Sequence, residues 1–262
     1  MKIVVLLIIP FFLYSQSNKD QVKKGSFYFY WGWNNSLYSK SDIHFKNKNY
    51  DFTLYDIYAK NKQSPFNFKT YFSPTSFTIP QYNYRLGYYF SDQFDISLGM
   101  DHMKYVMIPQ QEVIISGTIQ ESNTSFDGNY NQSEIILEPN FLQYEHTDGL
   151  NYVNTELRKT SMLSSSKNFK MSQVNGLSLG LLIPRSNVKL LDNYKYDEFH
   201  LAGYGIGVLT ALRFNYKQFF IQSEIKGGWI NLTNVRTTSF KSDHAKQSFF
   251  YSQFNIVFGF FL

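Results

Sequence analysis

The sequence predicts an all-β protein, a closed antiparallel transmembrane β-barrel of about eight strands with long extracellular loops. Three observations predict this fold. About eight segments alternate apolar and polar residues, and the connections between them are alternately short and long. The third is that Phe, Trp and Tyr make up 19% of the residues although the mean hydropathy is only -0.32. Strands that turn apolar side chains to lipid and polar side chains to a lumen have this composition, because the average hides the alternation.

The amino terminus has the pattern of a secretory signal peptide. Lys2 precedes an unbroken apolar run, residues 3–13, and polar residues follow from Ser15. We therefore divide the chain into a cleaved signal peptide, 1–16, and one outer-membrane barrel domain, 17–262. A transmembrane anchor is the alternative, but the run has about half of the roughly 20 residues that a spanning helix needs. The sequence contains no cysteine, which excludes disulfides, thiolate metal sites and lipoprotein acylation.

Eight segments carry the alternation expected of barrel strands. Aromatic residues at every second position from Phe27 to Trp33 lie on one face of the first strand. A tight turn around Asp92 joins the second and third strands into a hairpin. The predicted strands are 27–34, 81–90, 94–101, 153–158, 177–183, 203–212, 219–229 and 254–262.

The connections favour a barrel over a soluble sandwich. Three are short, around Asp92, Ser165 and Tyr216, and four are long, at 36–77, 107–149, 184–200 and 231–246. Short and long connections alternate when every other turn is periplasmic and the rest face outward. The carboxyl end, Phe260 to Leu262, is similar to the aromatic terminal signal of outer-membrane barrels.

Charged residues at lumen positions indicate a structural role. An eight-stranded barrel is just wide enough for side chains to fill it, so internal ions must pair with one another, and little open channel remains for a porin. The predicted lumen charges are Arg85, Asp95, Asp101, Glu156, Arg158, Glu224 and Lys226. The pI near 9.0 does not indicate nucleic acid, because Lys and Arg are scattered, and anionic lipopolysaccharide suits an exported protein better.

All five histidines are predicted on the extracellular half of the protein, if the amino end of the first strand is periplasmic. The alternative explanation is that histidine is polar and polar residues collect in loops. Histidine is also the usual acid, base or metal ligand at neutral pH, so we expect an outward-facing site with a divalent metal as a candidate cofactor. The sequence carries no nucleotide-binding fingerprint.

Three parts of the chain together resemble the outer-membrane lipid A oxidase family, whose members convert the proximal glucosamine of lipid A to an aminogluconate using oxygen. The first part is 41–45 with 50–56. The second is 79–88 leading to 101–104, and the third is 146–151 with 182–185 and the glycine-rich 203–207. The likeness covers most of the mature chain, and the segments at 42–56 and 146–151 carry most of it.

The resemblance, together with the polarity and position of the residues, predicts a site at the outer ends of the strands, where lipid A would lie. We expect His102, His146 and Asp148 to be catalytic. We expect Lys104, Arg185 and Asn151 to bind the substrate, and His44 with Asp42 to bind a metal.

The expected partners are lipid A or lipopolysaccharide, outer-membrane lipids and the barrel assembly machinery, in the bacterial outer membrane. If the protein is an enzyme, it is a lipid A oxidase-like oxidoreductase. The alternative is a non-catalytic barrel with a structural, adhesion or small apolar transport role. Convergence of His102 and His146 on one site would favour the enzyme.

Overall fold

The computed structural model describes residues 24–73, 75–76, 79–196 and 198–262. The proposed signal peptide, 1–16, lies outside the described residues. The strands are β1 (Phe27–Tyr38), β2 (Ser41–Lys46), β3 (Tyr50–Ile57), β4 (Ala59–Lys60), β5 (Tyr82–Tyr89), β6 (Phe94–Met107), β7 (Glu112–Ile119), β8 (Gly128–Ile136), β9 (Leu142–Ser165), β10 (Phe169–Leu182), β11 (Asn187–Leu190), β12 (Asn193–Tyr196), β13 (Gly203–Tyr216), β14 (Phe219–Arg236) and β15 (His244–Phe261). A short helix, α1 (Phe68–Phe72), lies between β4 and β5. Among the described residues, no helix is long and apolar enough to cross a membrane.

Eight of these strands form a closed antiparallel barrel, which confirms the predicted fold. The order around the ring is β1, β5, β6, β9, β10, β13, β14 and β15, and the ring closes where β15 pairs with β1 from Phe261–Tyr28 to Tyr251–Tyr38. Each predicted strand lies within or closely overlaps one of the eight. We call the end with the three short turns the lower end of the barrel, and the end with the long connections the upper end.

The outer surface of the barrel carries an apolar band between two aromatic girdles. Residues that the alternation within the predicted strands places on the outer face are exposed on it, among them Phe94, Leu98, Leu179, Ile206, Ile221 and Phe258. On β13, Tyr216 at the lower girdle and Tyr204 at the upper one are separated by about 30 Å along the barrel axis, from the rise per residue and the usual strand tilt. This height matches the hydrocarbon core of a bilayer, so the barrel has the surface of a membrane-spanning protein.

The lower lumen is filled by ion-paired side chains, as predicted. Glu156 accepts from Arg85 at 2.9 Å and from Lys226 at 2.7 Å, and it also pairs with Arg158. Arg158 reaches Glu224 at 3.3 Å. Among the described residues, four buried cations face four buried anions in the lumen: Arg85, Arg158, Arg213 and Lys226 against Asp95, Asp101, Glu156 and Glu224.

Above the charged layer the interior becomes apolar. The long connections were predicted as loops, but much of their length is β-structure: β2, β3, β7 and β8 continue the sheet from the upper end of β15, and β11 and β12 continue it from β9. These strands, with the upper ends of β6, β9, β14 and β15, enclose one apolar core that includes Phe45, Phe52, Leu54, Tyr105 and Tyr144. We call this part the upper extension. Burying these apolar side chains removes their surface from water and stabilises the folded connections, whereas solvated loops would leave that surface exposed.

The described residues between 61 and 81, which are 61–73, 75–76 and 79–81, fold back along the outside of the barrel at the upper girdle, and we call them the strap. Gln63 fastens its two ends, because its Nε2 donates to the carbonyl of Asn34 at 2.7 Å and its Oε1 accepts from the backbone of Gln81 at 2.8 Å. The Asn67 side chain caps α1 by accepting from the backbone N–H of Lys69 at 2.9 Å.

Candidate functional site

The strongest candidate site is a cavity of about 660 Å³ on the outer, lipid-facing surface at the upper girdle. His102, Lys104, Asp148 and Asn151 line it, together with apolar residues such as Met100. We call this cavity the rim site. Four of the six residues predicted to act on or bind a substrate therefore lie together, although their roles stay a prediction.

His102 faces outward, because it continues the lipid-facing row of Leu98 and Met100 on β6. It nevertheless has only 7% of its surface exposed, and its ring stacks on that of Tyr82 with centroids 4.7 Å apart. Burying a polar ring on the lipid-facing surface of a membrane barrel costs free energy unless the ring is hydrogen-bonded.

Asn151 supplies that hydrogen bond from the neighbouring strand β9. The two residues are register partners, and His102 Nδ1 lies 2.7 Å from Asn151 Oδ1. The amide of Asn151 is oriented in turn, since its Nδ2 donates to the carbonyl of Ile183 at 3.1 Å. Asn151 Oδ1 is thus the acceptor and Nδ1 of the neutral imidazole carries the proton, which leaves Nε2 as the nitrogen that can accept one.

A β-bulge places Asp148 beside this pair. Leu150 pairs with Met103 and His146 pairs with Tyr105, so three residues of β9, 147–149, stand opposite Lys104 alone. The bulge turns Asp148 outward. Gly149 within it has φ +134, and a Cβ there would lie 2.7 Å from the Asn151 amide and 2.9 Å from His102 Cε1, so only glycine fits.

Lys104 lines the cavity, and Arg185 lies beside it, next to Asp148, without lining it. Lys104 Nζ donates to the carbonyl of Ile79 in the strap at 2.7 Å. Arg185 follows β10, its backbone N–H donates to the carbonyl of Gly149 at 2.9 Å, and its Nε lies 3.9 Å from Asp148 Oδ2. The side chains of Arg185 and Asp148 are both partly exposed.

His146 lies on the opposite face of the sheet from His102. It is fully buried in the upper extension, where its Nδ1 is 2.7 Å from Ser186 Oγ and its ring packs 5.0 Å from that of Tyr144. The structure therefore does not bring the two histidines together. It also places His146 inside β9 rather than before the fourth barrel strand, because β9 continues upward beyond the membrane band.

The predicted metal ligands His44 and Asp42 lie next but one to each other on β2, and each has its own partner. His44 Nε2 is 2.7 Å from Asp51 Oδ1, whereas Asp42 Oδ1 accepts the backbone N–H of Asp56 at 2.9 Å. Hydrogen bonds from Lys46 and then His44 hold the pKa of Asp51 below its usual value. Within the described parts of the chain, no group of three or more His, Asp or Glu residues is arranged to hold a metal ion.

Sequence reasoning missed several features of the rim site. The stacking of Tyr82 on His102 depends on the register between β5 and β6. The bulge depends on the register between β6 and β9. One signal was visible in the sequence: the aromatic cluster Phe66, Phe68, Tyr71 and Phe72 within a polar connection marks the strap that borders the cavity.

No protein-family model matches the chain, and no curated protein matches it. Among solved structures, the outer membrane protein OprG from Pseudomonas aeruginosa aligns over 92% of this chain and 97% of its own, with 10% identity and a TM-score of 0.39. Ail, the attachment invasion locus protein of Yersinia pestis, aligns over 89% and 99% with 9% identity and a TM-score of 0.28. The outer membrane protease OmpT from Escherichia coli aligns over 90% and 97% with 8% identity and a TM-score of 0.24. Likenesses this distant assign neither a family nor an activity.

Proposed function

We propose that the protein is an integral outer-membrane barrel that binds the phosphorylated sugar headgroup of lipid A, or of lipopolysaccharide, at the rim site and modifies it. The reaction implied by the family resemblance is oxidation of the proximal glucosamine, with oxygen taking the electrons. One observation carries the proposal: the hydrogen-bonded pair His102–Asn151 is buried on the lipid-facing side of the barrel, at the level of the upper girdle.

The position of the rim site supports a lipid headgroup as its ligand. Short turns of outer-membrane barrels face the periplasm and long connections face outward, so the upper girdle belongs to the outer leaflet. Aromatic girdles mark the level of the headgroups. A ligand at this level presents sugars and phosphates above and acyl chains below, which suits a cavity with one cation in its lining, another beside it, and apolar residues such as Met100 and Val153 in its wall.

The side chains at the rim site suit both the phosphate and the sugar of such a ligand. Lys104 and Arg185 provide positive charge for phosphate. His102 Nε2 can accept a proton from a sugar hydroxyl while Asn151 holds the ring in place, and Asp148 on the bulge can accept hydrogen bonds from the sugar. A metal at His44 and Asp42 remains a separate proposal, since these residues lie on β2 and do not line the rim site.

The proposal includes export and assembly. A signal peptide at 1–16 would direct the chain across the inner membrane, and the barrel assembly machinery would then insert it. The last strand, β15, ends in Phe260 and Phe261 and closes the ring, so it is the natural element for that machinery to engage.

The test is mass spectrometry of lipid A from cells with and without the gene, and from cells carrying His102→Ala or Asn151→Ala. We expect a mass change in lipid A that requires the wild-type protein and is lost in both variants. His244→Ala is the matched control, because His244 begins β15 and does not line the rim site. Heat-dependent mobility of each variant in gels checks that the barrel still folds.

The non-catalytic barrel is the other outcome of the same experiment. Identical lipid A in cells with and without the gene, with the folded protein in the outer membrane, would refute lipid A modification and leave a binding or structural role. Modification that survives in both variants would remove the His102–Asn151 pair from the mechanism.

A further inference from the structure

The strap presents three phenylalanine rings to its surroundings. Phe66, Phe68 and Phe72 are exposed, with Phe68 at 72% of its full surface. They also contact one another, because the rings of Phe68 and Phe72 stack at 5.1 Å and those of Phe66 and Phe68 meet at 5.6 Å. Three adjacent exposed aromatics form a patch of the kind that water-facing surfaces rarely carry.

The strap is held against the barrel rather than extended away from it. Trp33 on β1 contacts Tyr71 at 5.4 Å and Phe72 at 5.1 Å between ring centroids. The hydroxyl of Tyr71 donates to the carbonyl of Ser64, which closes the strap on itself. The phenylalanine patch is therefore presented in a fixed position.

That position continues the membrane-facing surface of the barrel. Trp33 belongs to the outward row of β1 and lies beside Phe258 of the apolar band, at a centroid distance of 5.9 Å. The patch thus adjoins the apolar band directly, at the upper girdle. Lys69 lies on the same short helix and is exposed, which gives α1 an aromatic side and a basic side.

We propose that the strap is a membrane-insertion element, in which Phe66, Phe68 and Phe72 enter the outer leaflet at the boundary between headgroups and acyl chains. The partner is the lipid itself: acyl chains cover the rings, and anionic headgroups meet Lys69. Amphipathic segments with aromatic residues on one side and Lys on the other bind membrane interfaces in this way. Continuity with the apolar band singles out lipid over a protein partner as the occupant.

Insertion of the strap has a consequence for the rim site. Ile79, near the end of the strap, lines that cavity and holds Lys104 through its carbonyl. Lipids that pack against the strap would stand next to the opening of the cavity. The inference does not depend on any chemistry there, because the patch and its contacts are independent of His102.

The absence of cysteine from the sequence makes the test direct. Single variants Phe68→Cys and Phe72→Cys are spin-labelled and reconstituted in bilayers, and collision rates with oxygen and with a water-soluble nickel chelate are measured. Both side chains are exposed and lie outside the barrel, so the substitutions spare the barrel, which gel mobility verifies, and the Tyr71 contact with Trp33 still holds the strap in Phe72→Cys. Lys69→Cys is the matched control on the same helix, Leu179→Cys reports the apolar band, and Asn129→Cys on β8 reports the water-exposed extension.

We expect the labels at 68 and 72 to behave like the label at 179, with frequent oxygen collisions and at least several-fold fewer nickel collisions than at 129. The label at 69 should resemble the one at 129. Nickel access at 68 and 72 equal to that at 129 would overturn the proposal, and so would low access to both reagents, which would mean that protein covers the patch. Neither outcome involves lipid A chemistry, so the proposed function is tested separately.

Discussion

Glu156 is the residue on which the charged lumen depends most. Its carboxylate contacts three cations, Arg85, Arg158 and Lys226, and it is completely buried. Removing it leaves three cations with fewer partners in a region that water enters poorly. We expect Glu156→Ala to lower the free energy of unfolding by about 3–5 kcal/mol, measured by denaturant titration in detergent or vesicles.

Two further variants calibrate that prediction. Glu224→Ala removes a carboxylate that meets the single cation Arg158, along with the amides of Gln222 and Asn255, so we expect a smaller loss of stability than for Glu156→Ala. Glu134→Ala, on the exposed edge strand β8, should change little. Equal effects of all three substitutions would contradict a packed, ion-paired lumen.

The hydrogen bonds of Asp51 make the stability of the upper extension depend on pH. Hydrogen bonds from Lys46 and His44 lower the pKa of its carboxyl group, so these pairs stabilise the fold above the ordinary carboxyl pKa of roughly 4. Their contribution is lost as the pH falls through the lowered pKa. We expect the titration midpoint of Asp51, followed by carboxyl carbon NMR and assigned with Asp51→Asn, to rise when Lys46 is changed to Gln. An unchanged midpoint in Lys46→Gln would contradict this assignment of the cause.

Individual residues were predictable from sequence where strand alternation alone decides their side. Arg85 and Glu224 occupy lumen positions by parity, and the structure confirms both. The same parity, continued one residue past the predicted third strand, places His102 on the lipid side. It did not place His146, because the predicted fourth strand began at 153 whereas β9 begins at Leu142, and the direction of that side chain depends on where β9 bulges. Arg213 was missed because the sixth predicted strand ended one residue before it.

At the scale of one element, the bulge in β9 builds the rim site. Gly149 is the position that fixes it, since its φ of +134 is unfavourable for other residues and a Cβ would press on both His102 and Asn151. We expect Gly149→Ala to cost about 1–3 kcal/mol through backbone strain and to break the His102–Asn151 hydrogen bond. Nitrogen NMR of labelled histidine should then show loss of the tautomer protonated at Nδ1.

The control for the bulge is Gly128→Ala at the start of β8, where a Cβ would meet only ordinary contacts near 3.7 Å. It should leave both the histidine spectrum and the stability nearly unchanged. If Gly149→Ala preserved the Nδ1 tautomer, the bulge would not be what positions the pair.

In β2 and β3, a strand signal was visible in the sequence and was overlooked. The alternation of Ile43 with Phe45 and of Phe52 with Leu54 has the period of strands, yet the segment was predicted as a loop because it falls in a long connection. Its pairing with β15 and β7 is long-range and could not be derived locally. The glycines of β13 make room for larger neighbours, since a Cβ on Gly207 would lie 2.9 Å from the hydroxyl of Tyr251.

At the scale of the whole molecule, the interior has two layers with different chemistry. The lower layer is held by paired charges and the upper layer by apolar packing, and continuous strands such as β9 and β15 run through both. The rim site lies on the outside of the barrel near the level where the interior changes, with Asp101 of the charged layer directly before His102 and Met103 of the apolar core directly after it. A rigid interior on the other face of β6 therefore supports the site.

The two layers should lose structure separately. Phe52 is buried in the upper extension and stacks on Phe45 at 5.1 Å, so Phe52→Ala should cost about 3–5 kcal/mol of packing in that layer alone. All three tryptophans, Trp31, Trp33 and Trp229, lie on barrel strands, and their fluorescence reports only the barrel. We expect Phe52→Ala to make the extension sensitive to protease added to intact cells, while the tryptophan unfolding transition stays near that of the wild type. Ile136→Ala, at an exposed position on β8, is the matched control and should resist protease. A tryptophan transition that shifts by the full packing energy would mean that the barrel and the extension unfold as one cooperative unit.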